Sequence, residues 1–245
     1  MQGKRVITQK KEPILSMIQP SIDLERKVMT LSFPGENNVE VNIEVSGELK
    51  QRSFEDNICI GKVCGEEVEG VSCGAEVSDW LERILGLDDV KLVKGLRRRS
   101  KRKLVSNSLA NDSDCLVLNK ESINILANKV KQTCEKYNED SEEFTNKNLS
   151  QRFRGNIIIE GVPPFEEESW TSFRLNGLVF RVGGACKRCQ MITVEQGSGQ
   201  VTKEPLRSLA QMKNRNFNFG IHTSLTSGTR QELISIGDHI QVLKN

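Results

Sequence analysis

From Val28 the chain begins to alternate. Val28-Met29-Thr30-Leu31-Ser32-Phe33 is a β-rich run, Pro34-Gly35-Glu36-Asn37-Asn38 supplies turn residues, and Val39, Val41, Ile43 and Val45 follow with polar neighbours between them. Strict alternation turns one apolar face inward and one polar face to water, so the pattern predicts a hairpin with one wet face. Ile58-Cys59-Ile60 and Val68 to Val71 are two further short apolar runs, predicted as strands of the same sheet. The period then changes. Val77, Trp80, Leu81, Ile84 and Leu85 fall at i, i+3, i+4, i+7 and i+8, one face of a helix that Gly86 stops, and this helix is predicted to plug the small β-domain.

A second set of elements opens at Cys115-Leu116-Val117-Leu118, a predicted strand. Ile123, Leu126, Ala127, Val130, Cys134 and Tyr137 then share one helix face, with Asn119 as N-cap and Glu121 in the first turn. Such a strand-to-helix junction exposes backbone N–H groups that suit phosphate. Residues 138–148 are polar and acidic and read as an exposed loop. In Arg152-Phe153-Arg154-Gly155-Asn156-Ile157 the two cations stand at i and i+2, which an extended segment would put on the same side, as paired guanidinium forks for a phosphate; surface salt bridges are the plainer alternative. Three adjacent carboxylates, Glu166-Glu167-Glu168, have no second acidic cluster beside them and read as a structural, solvated element. Leu178 to Val182 and Met191 to Val194 are predicted strands, Pro205 suits the first turn of a short helix carrying Leu206, Leu209 and Ala210, and Leu233 to Leu243 reads as a terminal hairpin.

Composition narrows the class. The chain has 245 residues, 36% hydrophobic and 28% charged, as in an ordinary globular protein with a real core. No stretch approaches the ~20 apolar residues of a membrane span, and the first twenty residues lack the apolar core of a secretory signal, so a cytoplasmic location without a membrane partner is expected. Seven cysteines at irregular spacing favour reduced thiols. The net charge is +2, yet Arg97-Arg98-Arg99-Ser100-Lys101-Arg102-Lys103 alone holds six cations and leaves the remainder acidic. A nucleic-acid footprint would spread cations over a face, so no nucleic acid is expected and the run reads as a solvated connector, with nuclear import or an acidic partner as alternatives. The predicted division is 1–95, a β-rich domain; 96–113, a basic flexible connector; and 114–245, a second domain.

The chemistry concentrates in Phe180-Arg181-Val182-Gly183-Gly184-Ala185-Cys186-Lys187-Arg188-Cys189-Gln190-Met191. Two thiols straddle Lys187 and Arg188, cations that favour the nucleophilic, metal-ligating thiolate, so at least one cysteine should be acidified. Cys189, ahead of a β-like run, is expected to be rigidly held; Cys186, after the Gly pair, is expected to be free to reposition. Two buried structural thiols would be the plain reading of the same pair. Zinc would need two more ligands at suitable spacing, and Cys59, Cys64 and Cys73 have the wrong gaps. A thioredoxin-type pair would open a helix, whereas a β-like run follows here.

This stretch, with the Gly-containing turn at Gln196-Gly197-Ser198-Gly199, then Glu204-Pro205-Leu206 and Phe219-Gly220, resembles the signature of the MOSC domain, the cofactor-binding C-terminal part of molybdenum cofactor sulfurases. The likeness runs from about Ile7 onward, strongest from Arg152 to Gly220. It implies an α+β fold with a β-barrel-like core and a smaller β-rich N-terminal domain. It implies the molybdenum cofactor, a molybdopterin, with Cys189 as catalytic residue and metal ligand, and with Ser122, Arg152, Arg154, Asn156, Lys187, Arg188 and His222 as further cofactor-binding residues. Asn156 belongs to the family's Arg-Phe-Arg-x-Asn-Ile element before its central strand, and Gly155 departs from the Pro or small residue usual there. The implied function is sulfuration of the cofactor, installing a terminal sulfido ligand for enzymes of the xanthine dehydrogenase and aldehyde oxidase types. A molybdenum-dependent reductase of N-hydroxylated compounds and a non-catalytic cofactor carrier are the alternatives. Sulfurases of this family also carry a cysteine desulfurase domain that uses pyridoxal phosphate; such a domain or chain is the expected sulfur donor, and no desulfurase activity is expected of these residues alone. The family's Lys-Ser-Cys and Arg elements, which help to hold the cofactor, have no counterpart near the start, which is expected to be clipped.

Overall fold

The computed structural model describes residues 1–2, 5–43, 58–63, 66–99, 113–228 and 232–243. Within them lie two compact units: the described residues up to Arg99 together with Gln196–Gln200, and the described residues from Ser113 onward without that stretch.

In the N-terminal unit, β1 (Gln19–Asp23), β2 (Val28–Ser32) and β3 (Val39–Asn42) form an antiparallel sheet in that order. Alternation does what it predicts: Val39 and Val41 are buried while Glu40 and Asn42 face water. Helix α1 (Ala75–Leu85) presents Val77, Trp80 and Leu81 to Leu31, Val39 and Val41, and Gly86 ends it in the left-handed conformation with its N–H on the Glu82 carbonyl. Burial of each such side chain contributes about 1.5–3 kcal/mol. Trp80 adds a bond from Nε1 to the Asn37 carbonyl at 2.6 Å, which anchors the helix to the hairpin turn.

Two expectations fail here. β4 (Ile58–Val63) and β5 (Glu66–Ser72) do not join the first sheet; with β6 (Val93–Arg99) they make a second antiparallel one. Leu96–Arg99, assigned to a connector, are therefore strand. The backbone register sets Arg97 opposite Glu69 and Arg99 opposite Glu67. The rest of the basic run and Val45 lie outside the described residues.

The C-terminal unit is built on a six-stranded sheet curled into a half-barrel, β7 (Cys115–Asn119), β8 (Ile157–Ile159), β9 (Ser172–Leu175), β10 (Leu178–Lys187), β11 (Asn218–Ser227) and β12 (Ile240–Leu243), in spatial order 12-9-10-11-7-8. Only the β7–β8 pair is parallel. β7 is buried on both faces, which is why it reads as an unbroken apolar run: Leu116 and Leu118 enter one core and Val117 the other. The first core is covered by α2 (Lys120–Lys136), α3 (Asn146–Phe153) and α4 (Leu206–Met212), through Ile123, Leu126, Val130, Leu149, Phe153 and Leu209. Gly220 sits at φ +75°, where a Cβ would meet the Val117 carbonyl oxygen and Leu118 Cδ2 at 2.6 Å each, so only glycine lets β11 approach β7.

The mixed α+β class holds, with five local corrections. The loop expected over 138–148 is shorter: Thr145 caps the Asn148 N–H and α3 begins at Asn146, with Phe144 buried. Arg152 is consequently helical and Arg154 is the left-handed C-cap, so the pair does not project from one side of an extended segment. Met191 to Val194 is not a strand but follows from a single 3-10 turn, Gln190–Thr193. The terminal hairpin does not form, because β12 pairs with β9 and leaves Leu233, Ile234 and Ile236 exposed. β8, expected to be central, is an edge strand. Asn119 does cap α2, accepting from the Glu121 N–H at 2.9 Å.

Candidate functional site around Cys189

β10 carries the two thiols to different fates. Its register against β11 shifts around Gly184, at φ +115°, and again after Ala185, and these bulges end the strand at Lys187. Cys186 is therefore a strand residue, buried against the first core. Cys189 lies beyond the strand and N-caps the 3-10 turn, exposed to solvent. This overturns the expectation for Cys186 alone: the thiol after the glycines is fixed in the strand, and the exposed thiol is the second one. Burial raises the pKa of the Cys73, Cys115 and Cys134 thiols, which leaves Cys189 as the open thiol among the described residues.

Arg154 and Arg188 flank it. Arg154 is held at φ 54°, ψ 41°, its N–H bonded to the Ser150 and Gln151 carbonyls. Its guanidinium donates no hydrogen bond to another described residue. Loss of water around it lowers its pKa from the ordinary value, the nearby Arg188 cation pushes the same way, and Cys189 opposes both. Arg188 stacks over the Phe153 ring at 4.9 Å, donates from Nη1 to Cys186 Sγ at 3.1 Å and from Nη2 to the Phe153 carbonyl, while its own N–H bonds the Phe217 carbonyl. Lys187 is exposed beside them, opposite Asn218.

Four other residues marked from sequence have partners of their own in the C-terminal unit. Arg152 is fully buried and its fork is occupied: Nε donates to Asn148 Oδ1 at 2.6 Å, Nη1 to the Thr193 carbonyl at 3.0 Å and Thr202 Oγ1 at 3.3 Å, and Nη2 to Glu143 at 2.7 Å. Burial lowers its pKa, with Glu143 countering. Ser122 is buried, its hydroxyl donating to Glu167 Oε1 at 3.3 Å and accepting the Phe165 N–H at 2.8 Å. Asn156 closes the β7 edge, exchanging bonds with the Leu116 backbone. His222 lies in β11 opposite Gly184, with Nδ1 2.9 Å from Ser113 Oγ. Glu167, read as solvated, is fully buried and its pKa is raised by desolvation; Asn119 Nδ2 donates to it at 2.9 Å. Glu143, Asn148 and Thr193 escaped the sequence reading; Thr145 three residues before Asn148 was the capping signal that could have revealed their helix.

An exposed thiol just past the end of β10, with the Arg154 cation near enough to act on it, is a group of the kind that takes a soft metal. A family model for the MOSC domain matches residues 105–241, and one for the MOSC N-terminal beta barrel domain matches residues 2–88. The chain belongs to the MOSC domain family. It is similar to molybdenum cofactor sulfurase 2 of Culex quinquefasciatus, 35% identical over 243 residues, covering 97% of this chain and 31% of that protein. Against the molybdenum cofactor sulfurase of Bos taurus the identity is 36% over 233 residues, 89% of this chain and 26% of the relative; against that of Homo sapiens it is 34% over 227 residues, 88% and 25%. The MOSC chain thus spans about a quarter to a third of the length of these relatives. Among its described residues no three His, Cys, Asp or Glu side chains gather as a metal-ligand set. No described helix is long and apolar enough to cross a membrane.

Proposed function

We propose that this MOSC chain binds the molybdenum cofactor, with the Cys189 thiolate as its protein ligand to the metal and Arg154 paired with its phosphate. The observation that carries the reading is the exposure of Cys189 beside Arg154, whose guanidinium no other described residue occupies. The donor set fits: thiolate prefers soft metals, and a planar guanidinium matches phosphate with two parallel bonds. Lys187, exposed next to the thiol, adds a cation for the same anionic ligand. When bound, the cofactor supplies a metal centre that can take up a terminal sulfido ligand. Cys189 fixes the metal to the chain. Ser122, Asn156 and His222 support the strands and helix start behind the site. The reading places the chain within a longer sulfurase, where a pyridoxal-phosphate cysteine desulfurase domain or partner supplies sulfur and enzymes of the xanthine dehydrogenase and aldehyde oxidase types receive the finished cofactor. Cytoplasmic operation suits free thiols.

Molybdenum per chain, pterin fluorescence after oxidation, and thermal midpoint test this on two variants. Cys189→Ser should lose metal with an unchanged midpoint, since it alters an exposed side chain. Cys186→Ser should keep the metal and melt lower, because it puts a hydroxyl in an apolar core. Equal metal content in the two would reject Cys189 as the ligand.

A further inference from the structure

Two guanidiniums cross between the last turn of α3 and the segment 188–193, from opposite ends. Arg188 leaves that segment at its start and reaches the Phe153 carbonyl, at the end of the helix. Arg152 leaves the helix one residue earlier and reaches the Thr193 carbonyl, at the end of the 3-10 turn, at 3.0 Å. Cys189 lies between the two anchored points on one side, and Arg154 follows them directly on the other. Each arginine is further fixed by an aromatic face, Arg188 by Phe153 at 4.9 Å and Arg152 by Phe144 at 5.1 Å.

We infer that Arg152 and Arg188 are positioning residues, a double clamp that holds Cys189 in register with Arg154. Both are engaged inside the protein: Arg152 bonds four acceptors, and the two terminal nitrogens of Arg188 bond the Cys186 sulfur and the Phe153 carbonyl. Lysine cannot substitute, because a single ammonium has neither the fork nor the flat face that bonds and stacks at once. A charge near the thiol survives in Arg188→Lys while the clamp is lost, so the variant separates position from charge. The inference rests on the proposed function only for the identity of the ligand.

The test compares rates of Cys189 modification in the full chain by an anionic disulfide, 5,5′-dithiobis(2-nitrobenzoate), and a neutral one, 2,2′-dithiodipyridine, followed by mass spectrometry of the Cys189 peptide. The ratio of the two rates reports the cation held beside the sulfur, and a merely structural role would move both rates together. Arg154→Gln should lower the ratio a few-fold, as loss of one cation within several ångströms of an anionic reagent does in water. Arg188→Lys should lower it by a similar factor although the charge count is unchanged, and adding it to Arg154→Gln should produce no further fall. Arg152→Lys repeats the test from the other anchor, and if it does not fold Arg188→Lys decides alone. An unchanged ratio in Arg188→Lys, or losses that multiply in the double variant, would overturn the clamp. Wild-type protein free of molybdenum would instead sink the cofactor reading and leave this comparison intact.

Discussion

Arg154 occupies a backbone conformation that an arginine does not favour, and replacing it by glycine separates its side chain from its backbone. At φ 54°, ψ 41° it is the left-handed cap of α3, the position where helices usually place glycine. The left-handed region costs a non-glycine residue about 1–2 kcal/mol. Glycine avoids that cost but adds about 0.4–1 kcal/mol of unfolded-state entropy to be lost on folding. Arg154→Gly should therefore be as stable as the wild type or about 1 kcal/mol more so, and about 1 kcal/mol more stable than Arg154→Ala, which keeps the strain. For a chain of this size 1 kcal/mol is about 2–4 °C in midpoint. A charge-assisted bond contributes about 1.5–3 kcal/mol, so losing the guanidinium should weaken phosphate-bearing ligands roughly ten- to hundredfold in both variants. Differential scanning fluorimetry supplies the first number and molybdopterin content per chain the second. If Arg154→Gly melted several degrees below the wild type, the side chain would be structural; if it kept full pterin content, the phosphate assignment would be wrong.

Gly220→Ala should destabilise the fold by about 2–5 kcal/mol, adding left-handed strain to overpacking where a Cβ meets the Val117 carbonyl, and a midpoint within a degree of wild type would contradict the close approach of β11 and β7. Burial raises the Glu167 carboxyl above its ordinary pKa of 4.5, so the folded state binds its proton more tightly than the unfolded chain does. Its contribution to stability is thus lost as pH rises from the unfolded value through the folded one, and Glu167→Gln, which cannot ionise, should gain on the wild type as pH rises above 4.5 in urea melts. Parallel pH profiles would show that Glu167 is not desolvated. Arg152→Met should cost about 3–5 kcal/mol, because it leaves Glu143 and the Thr193 carbonyl without their buried cation; a loss under 1 kcal/mol in denaturant titration would mean that water takes its place.

Local periodicity determined a large part of this molecule. The β2–β3 hairpin follows from alternation, α1 from its 3.6-residue stripe and Gly86, and α2 from its stripe and the Asn119 cap, because each pattern reports burial of one face by neighbours close in sequence. The Cys186-Lys187-Arg188-Cys189 motif marked the site for the same reason: its chemistry sits in four consecutive residues. What each cation does could not be read locally. Arg152 and Arg154 look alike in sequence, yet one is paired with Glu143 and bonded to Asn148 and the Thr193 carbonyl while the other feels the Cys189 thiol, and Thr193 lies 41 residues away. Leu149 and Phe153 alone mark the apolar stripe of α3, too short a period to outweigh an extended reading. Which thiol is open was likewise a tertiary outcome, since the bulges that carry Cys186 into the core exist only in the pairing of β10 with β11. The pairing of β12 with β9, some seventy residues apart, depends on closure of a long loop whose entropic cost only the completed half-barrel offsets.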